Sequence, residues 1–263
     1  MGRMRGKGRT GLALGLATAI GGVGIFAAVG LFSFVNALPD ADAADWSEPQ
    51  SRPSVEFATP AHAPRPAEPA EHPYLADPGW LAQTAAVTGI PERALAAYAA
   101  ADLRVADELG CAVGWNTLAG IGWVESYHGT IHGSAIDADG VARPSIVGIP
   151  LDGTNGTMAI PDTDGGELDG DTEWDRAVGP MQFIPETWYL WGADATGDGH
   201  ASPHSIDDAA LTAAHYLCRL DGTLETENAW IAAIRSYNNT LEYQQRVASA
   251  AERYAEDATA VGS

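Results

Sequence analysis

From Pro78 onward the apolar residues recur at helical spacing, segment after segment, and most segments are punctuated by a proline at the start or a glycine at the stop. The spacing predicts helices over Pro78–Thr88, from Pro91 to a stop at Gly110, through Trp115–Glu125 to a stop at Gly129, and over Pro185–Trp191, Ile206–Leu220, Glu227–Tyr237 and Leu241–Glu256. Between them, residues 130–178 lose the period and fill with Gly, Asp and Pro. A stretch that long is rarely plain loop inside a domain, so it is expected to hold short strands or a lid. The fold class that follows is mainly α, a helical domain with a Gly/Asp-rich insertion.

Residues 73–258 account for that domain, and what precedes them divides in two. The first ten residues carry Arg3, Arg5, Lys7 and Arg9, and from Thr10 to Leu38 no residue is charged. This run is long enough to cross a bilayer and has no polar face, so residues 1–38 read as a cytoplasmic basic tip and a transmembrane signal-anchor, with the rest of the chain outside. Ala41-Asp42-Ala43 offers a cleavage site that would release a secreted form instead. Residues 39–72, with eight prolines between Pro39 and Pro73 bounding them, read as a semi-extended linker.

All 35 acidic residues lie beyond residue 39, against ten arginines and no lysine, a balance of −25 for that portion. Such a surface supplies no phosphate-neutralising patch, which excludes nucleic acid as a partner. It suits an exported soluble domain and, locally, divalent cations.

One residue breaks the apolar rule within its helix. Glu125 stands seven positions after Leu118, within roughly 20° of the same line down the helix, with Ile121 and Gly122 flanking it. An ionised carboxylate is costly to bury, so a group placed there raises its pKa and holds its proton near neutrality. That is the state a general acid needs to cleave a glycosidic bond. A buried structural carboxylate paired with an arginine would satisfy the same pattern.

Two further segments carry polar groups among apolar ones. In Gly179-Pro-Met-Gln-Phe-Ile-Pro185 a turn delivers Gln182, a neutral bidentate group suited to sugar hydroxyl or acetamido recognition. In Trp230 to Asn239, Tyr237 shares a helical face with Trp230 and Ile234, and Asn238 and Asn239 end the helix. Cys111 and Cys218 are the only cysteines; outside the cell a disulfide between them is the default, two buried thiols the alternative.

Taken in order and spacing, Glu125-Ser126, the 179–185 segment and Tyr237-Asn238 resemble the lytic murein transglycosylases, and most closely the membrane-bound lytic transglycosylase B type with its lysozyme-like core. The resemblance spans about residues 80–255. It implies that Glu125 is the single acid/base and that Ser126, Gln182, Tyr237 and Asn238 line the sugar site. It implies peptidoglycan glycan strands as substrate, cut between N-acetylmuramic acid and N-acetylglucosamine to leave a 1,6-anhydro sugar. No second carboxylate is as well placed as Glu125, where ordinary glycosidases need two. Assistance by the substrate's own N-acetyl group, which the resemblance implies, removes that need.

Asp194, Thr196 and Asp198 with Gly199 and His200 follow the opening of an EF-hand, with ligands at positions 1, 3 and 5 and glycine at 6. Ser205 stands at position 12, where a glutamate is usual. The resemblance implies a longer loop closing on Asp208, so a calcium ion held by Asp194, Thr196, Asp198, the His200 carbonyl and Asp208 is expected. Locally, Ser205 could instead cap the next helix over Asp208. The acidic run Asp162–Asp171 matches no metal template and reads as a solvated turn. Asp175 and Arg176 read as an ion pair, and His128 and His132 as rim residues. Two other functions fit the same pattern: a hydrolytic muramidase in which Asp137, Asp139 or Asp175 positions a water, or a glycan-binding module without turnover.

Overall fold

The computed structural model describes residues 57–68, 75–220 and 223–260. The expected signal-anchor lies outside them, as do the linker's first part and its residues 69–72. Among the described residues no helix is long and apolar enough to cross a membrane.

Among the described residues seven helices carry the architecture: α1 Pro78–Thr88, α2 Glu92–Leu109, α3 Trp115–Ser126, α4 Pro185–Trp191, α5 Ile206–Cys218, α6 Glu227–Tyr237 and α7 Leu241–Thr259. The mainly α reading holds, and the punctuation acts as its chemistry requires. Pro78 opens α1 behind Asp77, whose carboxylate accepts the Trp80 N–H, and Gly89 closes it at φ 71°. Gly110, at φ 63°, returns its N–H to the Ala106 and Val105 carbonyls at the end of α2.

The centre is α3, in which every residue except Trp123 is buried. A helix enclosed on all sides needs close neighbours, and its glycines admit them. A Cβ at Gly120 would lie 2.8 Å from the Val247 carbonyl oxygen of α7, and one at Gly122 would strike the Tyr98 hydroxyl of α2. α5 packs along α2, and the Cys111–Cys218 disulfide, a bridge over 107 residues, ties the α2–α3 junction to the end of α5.

The irregular insertion contains four short strands in two antiparallel pairs. β1 Ala135–Ile136 pairs with β2 Ala142–Arg143, and β3 Val147–Pro150 with β4 Arg176–Val178, Val147 facing Val178 and Pro150 facing Arg176. Leu151, Ile160 and Ile184 form a small separate core beneath it. Its acidic turns fold on themselves: Asp162 Oδ1 accepts the Asp164, Gly165 and Gly166 N–H groups at 2.9–3.2 Å.

The expected linker departs from a free spacer over its last described part. Residues 57–68 form no helix or strand, yet Ala58 and Ala63 are buried and the ring of Phe57 meets that of Trp230 edge to face at 6.1 Å. Two buried polar side chains hold this strap. Asn116 Oδ1 accepts the Ala61 N–H at 2.7 Å while its Nδ2 donates to the Thr59 carbonyl at 3.0 Å. Asp102 accepts from the Ala63 and Gly114 N–H groups at 3.1 and 3.0 Å and lies 3.0 Å from His62 Nδ1. Burying Asn and Asp without partners is costly, so the strap's backbone satisfies groups that the helices alone leave open. Composition favoured a free spacer because those partners lie 39 residues or more away in the chain.

Candidate active site

Glu125 closes the last turn of α3 with 5% of its surface exposed. Its Oε1 accepts a 2.6 Å hydrogen bond from the Tyr243 hydroxyl, contributed by the first turn of α7. Its Oε2 is buried and has no partner. Burial pushes the carboxyl up to about 8, against a smaller downward pull from the Tyr243 bond and the Arg246 charge. At neutral pH the group therefore keeps its proton. The structural alternative, a Glu–Arg ion pair, is not what forms: Arg246 acts on Glu125 at a distance, and no carboxylate contributes to its shift.

Tyr243 is the residue that sequence reasoning missed. Its ring lies parallel to that of Tyr237, at an interplanar angle of 7° and a centroid distance of 6.4 Å. Both hydroxyls are held well above the ordinary tyrosine range, by burial first and by the Glu125 charge second. A signal was present, since Tyr243 lies on the same α7 face as Val247 and Tyr254. That signal describes a core position equally well.

The other predicted site residues assemble around the end of α3, mostly by fixing backbone. Ser126 Oγ donates to the Pro180 carbonyl at 2.6 Å and accepts the Gly129 N–H at 2.8 Å, joining the helix end to the 179–183 turn. Tyr237 donates its hydroxyl to the Met181 carbonyl at 2.8 Å in that same turn. Gln182 sits in the turn at φ 50°, a left-handed conformation uncommon for a side chain with a Cβ, and its Nε2 donates to the Gly179 carbonyl at 2.9 Å. Its Oε1 faces Gly148, where a Cβ would come within 3.1 Å. Asn238 Oδ1 accepts from the Thr240 N–H and hydroxyl at 3.0 and 2.9 Å, shaping the entry to α7. Backbone and side-chain bonds thus hold Glu125, the turn and the α6–α7 junction together.

His128 is not a rim residue. It is 4% exposed, its Nδ1 3.2 Å from the Tyr98 hydroxyl and its Nε2 2.9 Å from that of Tyr254, and burial lowers its pKa to about 3. The left-handed backbone at Tyr127 and His128, φ 51° and 60°, folds the chain back after the helix and turns this side chain inward. His132 lies in a short 3₁₀ turn, Ile131–Gly133.

Asp175 and Arg176 do not pair. Asp175 is wholly buried and accepts from the Thr163 N–H and hydroxyl, both at 2.8 Å, while Arg176 reaches Asp171 at 2.8 Å. Adjacent side chains on an extended strand point to opposite faces, which sends the two to different partners. Asp137 is spent on Arg143 and on the Val141 N–H. Neither Asp137 nor Asp175 shares a contact with Glu125.

In the 194–208 loop, Asp194 accepts from the Gly197 and Gly199 N–H groups at 2.7 and 2.8 Å, and Asp198 from the His200 N–H at 2.8 Å. Asp208, 2% exposed, takes the Ala195 and Ser202 N–H groups at 2.8 and 3.0 Å and is raised chiefly by burial. Ser205 does cap α5, accepting the Asp208 N–H at 3.3 Å. The donor set is hard oxygen and Gly199 makes the sharp turn at φ 90°, which suits calcium. Among the described residues, the carboxylates that gather within 4.8 Å of one another are Asp162, Asp164 and Asp175. The loop's own carboxylates bond instead to its backbone. The Cys111–Cys218 disulfide is formed.

Residues 167–258 match the family described as "Transglycosylase SLT domain". The matched stretch holds Gln182, the 194–208 loop, Tyr237, Asn238 and Tyr243, and begins after Glu125. No curated protein matches the chain. Of solved structures, the Escherichia coli lytic transglycosylase Slt35 in complex with bulgecin A is similar at a TM-score of 0.44 and 14% identity, covering 69% of this chain and 79% of that one.

Proposed function

We propose, since residues 167–258 match the transglycosylase SLT domain family, that the chain is an enzyme of the lytic transglycosylase type with Glu125 as its single acid/base. The substrate is the glycan of peptidoglycan, cut between N-acetylmuramic acid and N-acetylglucosamine with a 1,6-anhydromuramyl product. The supporting observation is a carboxyl that is buried, protonated at neutrality, held at Oε1 by Tyr243 and unengaged at Oε2.

In this reading Glu125 protonates the leaving glycosidic oxygen as that bond breaks. The substrate's N-acetyl carbonyl supports the anomeric carbon in the absence of a second enzymic carboxylate. Glu125, now a carboxylate, takes the proton from the sugar's 6-hydroxyl as that oxygen closes onto the anomeric carbon, which restores the acid and uses no water. Tyr243 donates to the carboxylate formed between the two steps, which stabilises it. Ser126, Tyr237 and Asn238 line the sugar site by holding its walls, and Gln182 does so by bracing the turn through the Gly179 carbonyl.

Two parts of the reading concern the rest of the chain. Asp194, Thr196, Asp198, the His200 carbonyl and Asp208 would hold a structural calcium ion that fixes the loop and supplies no chemistry. Residues 1–38 would anchor the enzyme with its domain outside the membrane. The test is release of soluble glycan from purified sacculi by residues 57–263, set against Glu125→Gln. Release by the wild type alone is expected. Equal release by the folded variant would remove Glu125 from the mechanism.

A further inference from the structure

Arg65, Arg93, Arg104, Arg143 and Arg176 each face a carboxylate, as the acidity of the chain would suggest. Arg246 and Arg253 form no ion pair among the described residues. Both guanidinium groups instead stand over the ring of Trp123, their Cζ atoms 5.3 and 5.5 Å from its centroid. Trp123 is the one residue of α3 that is not buried. Its ring meets that of Tyr127 edge to face at 5.8 Å, and Tyr127 is 51% exposed.

This platform borders two open cavities that share Trp123 and Arg253. One, of 240 Å³, is flanked by Arg246, Gln245, Ser249 and a single carboxylate, Glu242. The other, of 460 Å³, is bounded by Tyr127, Tyr254 and the neutral His128. On a chain with a net charge of −21, an anionic ligand is repelled from most of the surface. Two arginines with no carboxylate partner, stacked on an aromatic face, are where such a ligand gains charge-assisted bonds without breaking an existing pair.

We propose that Trp123, Tyr127, Arg246 and Arg253 form a subsite for the carboxylate-bearing stem peptide carried by the muramyl sugar. The inference rests on the glycan-cleaving reading above, since that reading supplies the sugar. Geometry connects the two sites. Arg246 lies within one helical turn of Tyr243 on α7, and Tyr243 holds Glu125 Oε1, so one helix carries both the platform and the acid's partner. A stem peptide, at roughly 3.3–3.6 Å per extended residue, reaches across it within a few residues. The arginines then recognise the peptide's carboxylates while the aromatic faces cover its aliphatic portion. Peptide-bearing strands would accordingly be preferred to bare ones.

Turnover gives the first test. On strands carrying stem peptides, Arg253→Gln is expected to lose about tenfold in kcat/KM, with turnover on peptide-stripped strands and the melting temperature unchanged. Arg253→Lys, which keeps the charge, recovers most of the loss. An equal loss on both substrates, or no loss on either, overturns the subsite and leaves the catalytic reading standing.

The second test needs no turnover and so survives failure of that reading. N-acetylmuramoyl-L-alanyl-D-isoglutamine is titrated onto the wild type and Arg253→Gln, alongside the same compound with its free carboxyl amidated. Binding that weakens about tenfold on either change is expected. No binding, or binding indifferent to both changes, overturns the proposal.

Discussion

Glu125→Gln should make this protein more resistant to unfolding as the pH rises, although it removes the proposed catalyst. The native carboxyl titrates at about 8 against an ordinary 4.5, because burial penalises its ionised form. A folded-state pKa above the unfolded value means that the native protein holds the extra proton between those pH values. Stability linked to this group is therefore complete below about pH 4.5 and is lost as pH rises toward 8. With about 1.36 kcal/mol per pKa unit, the loss between pH 5 and pH 8.5 comes to about 4 kcal/mol. Glutamine has no proton to lose. It carries a fixed cost instead, on the order of 1–3 kcal/mol, for a buried amide N–H facing the place of an unpartnered Oε2. The other titrating groups are common to both proteins and cancel in the difference. At about 2–4 °C per kcal/mol for a domain of this size, the melting temperature of Glu125→Gln relative to wild type should climb by roughly 10 °C from pH 5 to pH 8.5. Differential scanning calorimetry at half-unit intervals would measure it. Two melting curves that run parallel across that range would show that Glu125 is not a buried, proton-holding acid.

Further outcomes follow from the same geometry. The kcat/KM of the wild type on glycan should fall above about pH 8, tracking loss of the Glu125 proton; a flat alkaline limb to pH 10 would contradict the assignment. Tyr243→Phe removes a bond that holds the Glu125 pKa down, so its alkaline limb should move to higher pH while kcat drops roughly 10–100-fold. Replacing Cys111 and Cys218 by serine releases a bridge spanning 107 residues, which chain-entropy arguments set at about 4–5 kcal/mol, read out as the denaturation midpoint under non-reducing conditions. Millimolar calcium should raise the melting temperature and Asp194→Ala should abolish that response; an unchanged melt with and without chelator would remove the ion from the account.

What the sequence disclosed was what local rules govern. Pro78, Gly110, Pro185 and Ser205 marked helix ends because capping and left-handed turns are settled within four residues. Glu125 announced itself because one helix contains both the acid and the apolar stripe it violates. Tyr243 did not, because its meaning depends on a partner 118 positions away. The strap was hidden for the same reason: Pro and Ala composition describes a free chain, while Asn116 and Asp102 supply the bonds that hold it down. His128 was misplaced because two consecutive left-handed residues reverse its direction, and nothing in Tyr127-His128 requires them. Asp175 found Thr163 across the insertion, where acidic loops offer many equivalent partners.

The most direct measurement is the mass of the muramyl ends released from purified peptidoglycan by the wild type, with Glu125→Gln in parallel and isotopically heavy water as solvent. Ends lighter by one water than a hydrolysed sugar, free of solvent oxygen and missing from the variant digest, are the predicted result. Reducing ends that carry the heavy oxygen would make the enzyme a hydrolase and contradict the single-acid, water-free cleavage proposed for Glu125.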